Sequence, residues 1–237
     1  MDIKKKALSY KTRMKKRFLR IATDQQSCAE VLGDINHGQT VYAFTGGQFG
    51  VINILSHLLK ITGKADVKIM TWSAGDADLQ YLSDMLKKSI IKSLQLLIDF
   101  SFPTRQPQYC KKILTLFPKT IKATNLHAKI LIVSNENWHF TVLTSMNLNQ
   151  NRRFENLEIV EGNEMTKFHL DIFQAIWKNS HFIDEKLKAS EYKSTKNIMF
   201  EDEVEAADFD FDDLDFDFDD LDFDFDFDFD DTSEIDF

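Results

Sequence analysis

Cysteine is scarce: Cys28 and Cys110 are the two among 237 residues, and their positions fit neither a metal-ligand spacing nor a disulfide framework. They read as reduced thiols in a cytoplasmic chain, because paired cysteines persist mainly in oxidising compartments. Long apolar runs are missing as well. No stretch approaches the roughly 18 to 20 apolar residues that cross a bilayer, and the basic N-terminus (Lys4, Lys5, Lys6, Lys11, Arg13, Lys15, Lys16, Arg17, Arg20) is not followed by the apolar core of a signal peptide. No membrane partner is expected. The doubled glycine Gly46-Gly47 matches neither the dinucleotide fingerprint nor the P-loop, so it reads as a turn. With no metal-ligand cluster in the sequence, neither a metal nor an organic cofactor is expected.

Positive charge is absent from the C-terminal end. All 29 Lys and Arg precede residue 201, whereas 20 of the 38 acids lie in residues 201–237. The overall charge of −9 therefore divides into +11 for residues 1–200 and −20 for the rest. A basic body favours polyanionic partners, which the average charge conceals.

What is present first is alternation. Thr40 to Thr45 is β-rich and stops at the glycine pair, and Val51 to Leu59 has helical apolar spacing. Val67 to Ser73 then reads as a strand, Asp76 to Ile91 as a helix, Ser93 to Phe100 as a strand and Gln106 to Phe117 as a helix. Strands follow at Thr120 to Thr124, Ala128 to Val133, Phe140 to Leu143 and Leu157 to Val160, before a helix from Glu164 to Lys178. This predicts an α/β fold, a mixed β-sheet flanked by helices on both faces. Residues 1–22 read as a basic N-terminal arm of helical character, residues 23–190 as the folded domain, and residues 191–237 as a linker and acidic tail.

The residues that carry chemistry cluster late. His127 and Lys129 are two apart at the mouth of an apolar strand, so in extended chain they share a face. Ser145 and Asn147 are likewise two apart at the end of the next strand. If the strands are neighbours, the four surround one oxygen-rich group. A phosphate fits: lysine neutralises, the hydroxyl and amide donate, and the imidazole attacks phosphorus or protonates a leaving oxygen.

These motifs resemble the signature of the phospholipase D superfamily, H-x-K, four residues, D, and later G-S-x-N. His127 and Lys129 match the first pair, and Ser145 and Asn147 the second, with Thr144 in the place of the glycine and Ser134 in that of the aspartate. The segment Arg153-Phe154-Glu155-Asn156 looks like that of single-motif bacterial nucleases, which points to Glu155 as a partner of the catalytic histidine. The resemblance implies a phospholipase D-like fold and a metal-independent phosphodiesterase that works through a phosphohistidine. One H-x-K per chain implies a homodimer with its site on the twofold axis.

Short single-motif members are typically nucleases, and the basic body agrees with a nucleic-acid substrate, DNA or RNA. Arg152, Arg153, Arg105, Lys111 and Lys112 are candidate backbone contacts. Two other classes fit the same motifs: a catalytically inactive relative that binds nucleic acid or a protein partner, and a lipid phosphodiesterase. The tail repeats DFDFDDL at residues 208–214 and 215–221, then runs on as DFDFDFDFDD, with nine phenylalanines between Phe209 and Phe237. Adjacent carboxylates repel, so this segment is expected to be disordered. Its spaced aromatics suit docking onto a protein partner or onto the chain's own basic groove in place of nucleic acid.

Overall fold

The computed structural model describes residues 16–21, 26–117, 119–150 and 152–183. The rest of the N-terminal arm and all of the acidic tail lie outside the described residues.

The chain alternates as its sequence predicts. The first half runs β1 (Lys16–Ile21), α1 (Cys28–Leu32), β2 (Gln39–Thr45), α2 (Val51–Thr62), β3 (Ala65–Thr71), α3 (Asp76–Lys87) and β4 (Ile91–Asp99). The second runs α4 (Phe102–Arg105), α5 (Pro107–Leu116), β5 (Ile121–Thr124), β6 (Ile130–Ser134), β7 (His139–Thr144), β8 (Glu155–Glu161), α6 (Asn163–Asn179) and β9 (His181–Phe182). The strands form one sheet in the order β1-β2-β8-β7-β6-β3-β4-β5-β9. Pairing is parallel between β1 and β2, β3 and β4, and β4 and β5. It is antiparallel through the centre, β2-β8-β7-β6-β3.

Helices cover both faces. On one, Val31, Leu55, Leu58 and Leu82 pack with Val67, Ile69, Leu96, Leu131, Val133 and Val142. On the other, Phe173 of α6, supported by Leu170, Ile176 and Trp177, packs with Met70, Leu97 and Ile132. Alternate residues of β3, β4 and β6 thus enter different cores, which period-two geometry requires of a strand buried on both sides. Each fully buried Leu, Ile or Phe adds roughly 1.5 to 3 kcal/mol. Both cysteines are free and buried, and burial pushes the Cys28 thiol up to about 12 against the opposing charge of Lys60.

Several boundaries differ from the sequence reading, three of them as follows. Lys16–Ile21 of the N-terminal arm is an edge strand paired with β2, not a helix. Its guanidinium at Arg20 lies 5.4 Å from the Phe18 ring centre, a contact that i and i+2 make in a strand. The helix expected to reach Ile91 ends at Lys87, because Ser89 takes a φ of 56° and the chain turns directly into β4. Finally, β6 begins at Ile130 rather than Ala128, leaving His127 and Lys129 in the connection that enters it.

Candidate active site

Strands β2, β3, β4 and β5 all end at one edge of the sheet, where β7 also ends and β6 and β8 begin. Ligands in open α/β sheets gather at this carboxyl edge, because the connecting loops there diverge and leave a crevice.

β6 pairs with β7, and the Thr144 amide donates to the Lys129 carbonyl at 3.2 Å. The Lys129 ammonium lies 3.2 Å from Nδ1 and 3.4 Å from Nε2 of His127, and donates to the His127 carbonyl at 2.8 Å. The lysine stem lines a hollow with Met70, Thr71, Ile130, Thr144 and Met146. Loss of water there holds the amine below the ordinary lysine range, while the Glu155 carboxylate acts in the opposite sense.

Ser145 occupies the next strand end. Its hydroxyl donates to Glu155 Oε2 and accepts the Asn156 amide at 3.0 Å, and its own amide donates to the Asn156 carbonyl at 3.1 Å. Glu155 thus engages Ser145 by hydrogen bond and Lys129 by charge. Asn147 follows in a loop stitched to the end of β3. Leu148 donates to Thr71 Oγ1 at 3.0 Å and to the Ser73 carbonyl at 3.1 Å, and Gly75 donates to the Leu148 carbonyl at 2.7 Å. The loops approach closely enough that a side-chain carbon at Gly75 would meet Asn149 Cβ at 3.2 Å. Within this frame Asn147 Oδ1 is buried with no hydrogen-bond partner, an amide with bonding capacity unspent.

The basic candidates divide. Arg105 lies 3.7 Å over the Trp72 ring and donates to the Trp72 carbonyl at 3.0 Å. Trp72 in turn meets the His127 ring at 6.1 Å between centroids, tilted by 55°. Arg152 and Arg153 are exposed just before Glu155. Lys112 is bound to Asp76 at 2.7 Å, and Lys111 is exposed on α5. Among the described residues no three His, Cys, Asp or Glu side chains converge as metal ligands, and no helix is long and apolar enough to cross a membrane.

Sequence reading missed the support beneath the histidine. Asp99, buried at the end of β4, accepts the Leu126 amide at 3.2 Å and the amide of Ser101 at 3.0 Å, and the Ser101 hydroxyl also donates to it. Ser101 Oγ accepts Arg105 Nε at 2.9 Å. One carboxylate therefore ties the segment entering His127 to the arginine and tryptophan beside it. Asp99 stands 28 residues before His127 in the chain, and no local motif joins them.

The two departures from the superfamily signature are placed differently. Ser134 closes β6, five residues beyond Lys129 and so about 16 Å along the strand. Thr144 turns its hydroxyl into the backbone, donating to the Asn156 carbonyl at 2.8 Å and accepting the Met146 amide at 3.0 Å.

No family model and no curated protein matches the chain in sequence. Among solved structures it is similar to NucT from Helicobacter pylori, at 13% identity over 61% of this chain and 99% of that one, with a TM-score of 0.44. It is also similar to TrmBL2, an archaeal chromatin protein described as showing a novel mode of DNA binding, at 9% identity over 64% of this chain and 56% of that one, with a TM-score of 0.40.

Proposed function

We propose that the chain is a metal-independent phosphodiesterase acting on DNA or RNA. The observation that carries this reading is the pairing of Lys129 with His127 beside Ser145 and Glu155, on the adjoining ends of β6, β7 and β8. Here the Lys129 cation adjoins the His127 imidazole, with the Ser145 hydroxyl at the neighbouring strand end, groups suited to a tetrahedral anion.

In this mechanism Lys129 and the Asn147 amide NH2 hold the non-bridging oxygens, and the Ser145 hydroxyl joins them by turning its proton from Glu155 to the phosphate. An imidazole nitrogen of His127 attacks phosphorus; a P–N bond forms and the P–O bond to the leaving strand breaks. The leaving oxygen takes a proton from His127 of a second copy, which then draws a proton from water as that water displaces the first imidazole. The homodimer is thereby part of the reaction, because one chain supplies one H-x-K. Glu155 balances the Lys129 charge and sets the Ser145 hydroxyl. Ser134 lies at the far end of β6 and the Thr144 hydroxyl is spent on the backbone, so neither disturbs the Lys129–His127 pair, which supports an active enzyme over an inactive binding relative.

The test is hydrolysis of single- and double-stranded DNA and of RNA in excess EDTA. Cleavage by the native chain and its loss in His127→Ala is the expected result, with a fall of at least about 1000-fold for removal of a nucleophile. Salt-sensitive binding without cleavage in either protein would replace this reading with the inactive binding protein, and preferential turnover of phospholipid vesicles would replace it with the lipid enzyme.

A further inference from the structure

Two phenylalanines stand in water beside this cluster. Phe154 is 81% exposed and Phe44 is 42% exposed, and their rings stack at 6.0 Å between centroids, 24° from parallel. Phe154 immediately precedes Glu155, whose carboxylate takes the Ser145 hydroxyl, while Phe44 pairs in register with Asn156 across β2 and β8. Leaving an aromatic side chain largely in water forgoes the gain of burying it; here two are held together at the rim of the candidate site.

The surroundings narrow the occupant. Arg152 and Arg153, both exposed, adjoin Phe154 in the chain, and the ammonium of Lys129 enters two strands away, about 10 Å across the sheet. Cations beside an open aromatic face suit a ligand that is anionic along its backbone and carries flat rings along its side. An unpaired strand of nucleic acid has this form, and a duplex does not, because its rings are already stacked and paired. On the far flank Trp72 is covered by Arg105 and has its ring against His127, so among the described residues the open platform beside the cluster is on the Phe154 side.

We infer that Phe154 and Phe44 form a stacking platform for an unpaired nucleobase next to the phosphate held at Lys129 and Ser145, which makes single-stranded nucleic acid the preferred ligand of the site. This deepens the phosphodiesterase reading and rests on it for the position of the phosphate.

The test compares the affinity of the full chain for three probes: a labelled single-stranded oligothymidylate, the same backbone with abasic sites in place of the thymidines, and a duplex of equal length. Measurements are made in a His127→Ala background, which keeps the probes whole. The thymidine strand is expected to bind more tightly than either other probe. Phe154→Ala should remove roughly 10-fold of that affinity, within the range of base–aromatic stacking, while leaving the abasic probe unchanged; Phe154→Trp should restore it. Tyr81→Ala, which removes an exposed aromatic of α3, should alter nothing. Equal binding of thymidine and abasic strands, or a preference that survives Phe154→Ala, overturns the inference. A change of oligomeric state in Phe154→Ala also overturns it, since a second copy would then be the occupant. Failure of the phosphodiesterase reading shows separately: if the native chain hydrolyses nothing yet the base preference depends on Phe154, the platform stands as a binding site without the reaction.

Discussion

Partial loss of water lowers the proton affinity of the Lys129 amine, and Glu155 pulls in the other direction. An ammonium is the form that holds phosphate, so affinity for an oligonucleotide should fall as pH rises through the lowered lysine value, earlier than an exposed lysine would dictate. Glu155→Gln removes the influence that raises the value. Its alkaline limb should therefore move to still lower pH in a binding titration, a readout free of any part Glu155 plays in turnover. A limb that stays in place or moves upward would separate Glu155 from Lys129. At this scale the sequence was legible where chemistry is local: His127 with Lys129, and Ser145 with Asn147, are two-residue patterns. Their mutual placement needed only that β6 and β7 be neighbours. Trp72, Asp99 and the Phe44–Phe154 pair were not legible, because their partners come from strands far apart in the chain and no spacing encodes such contacts.

At the scale of elements, Asp99 shows how a strand end governs a connection that is not its own. It takes the amides of Leu126 and Ser101 and the Ser101 hydroxyl, so it fastens the chain between β5 and β6 at the residue before His127. Asp99→Asn keeps the shape but turns an NH2 toward groups that donate. That mismatch should cost about 1 to 3 kcal/mol, seen in urea unfolding, and should speed hydrogen exchange at the Leu126 amide more than at the centres of β3 or β4. Equal acceleration everywhere would mark Asp99 as a general stabiliser rather than the anchor of this segment. The order of strands and helices was readable because β3, β4 and β6 are apolar runs between polar turns, and α2 and α6 carry helical periodicity. The end of α3 was not, since Ile90 and Ile91 continue the apolar spacing and only the left-handed turn at Ser89 breaks it. The strand at Lys16–Ile21 was hidden for a different reason: its charges suit an exposed edge, and charge density alone reads equally well as a solvated helix.

For the molecule as a whole the governing quantity is the division of charge, +11 on residues 1–200 and −20 on residues 201–237. This was fully legible, because charge adds along a sequence whatever the fold. A segment of alternating aspartate and phenylalanine offers the same two features as an unpaired strand, anionic groups at close spacing and flat rings between them, so the proposed site predicts competition between the two. Competition within one chain has a thermodynamic signature that partner docking lacks. Nucleic acid that had to displace the tail would release fewer net counterions, because a docked tail would already neutralise part of the basic surface. The slope of log affinity against log salt would then be shallower than the roughly −0.7 per phosphate contact expected of an open single-strand site. Removal of residues 201–237 should therefore raise affinity, most of all at low salt, and steepen the slope, both measured by anisotropy across a salt series. If the shortened chain binds no more tightly at any salt concentration, the carboxylates do not occupy the site, and the spaced phenylalanines are left as a docking sequence for another protein.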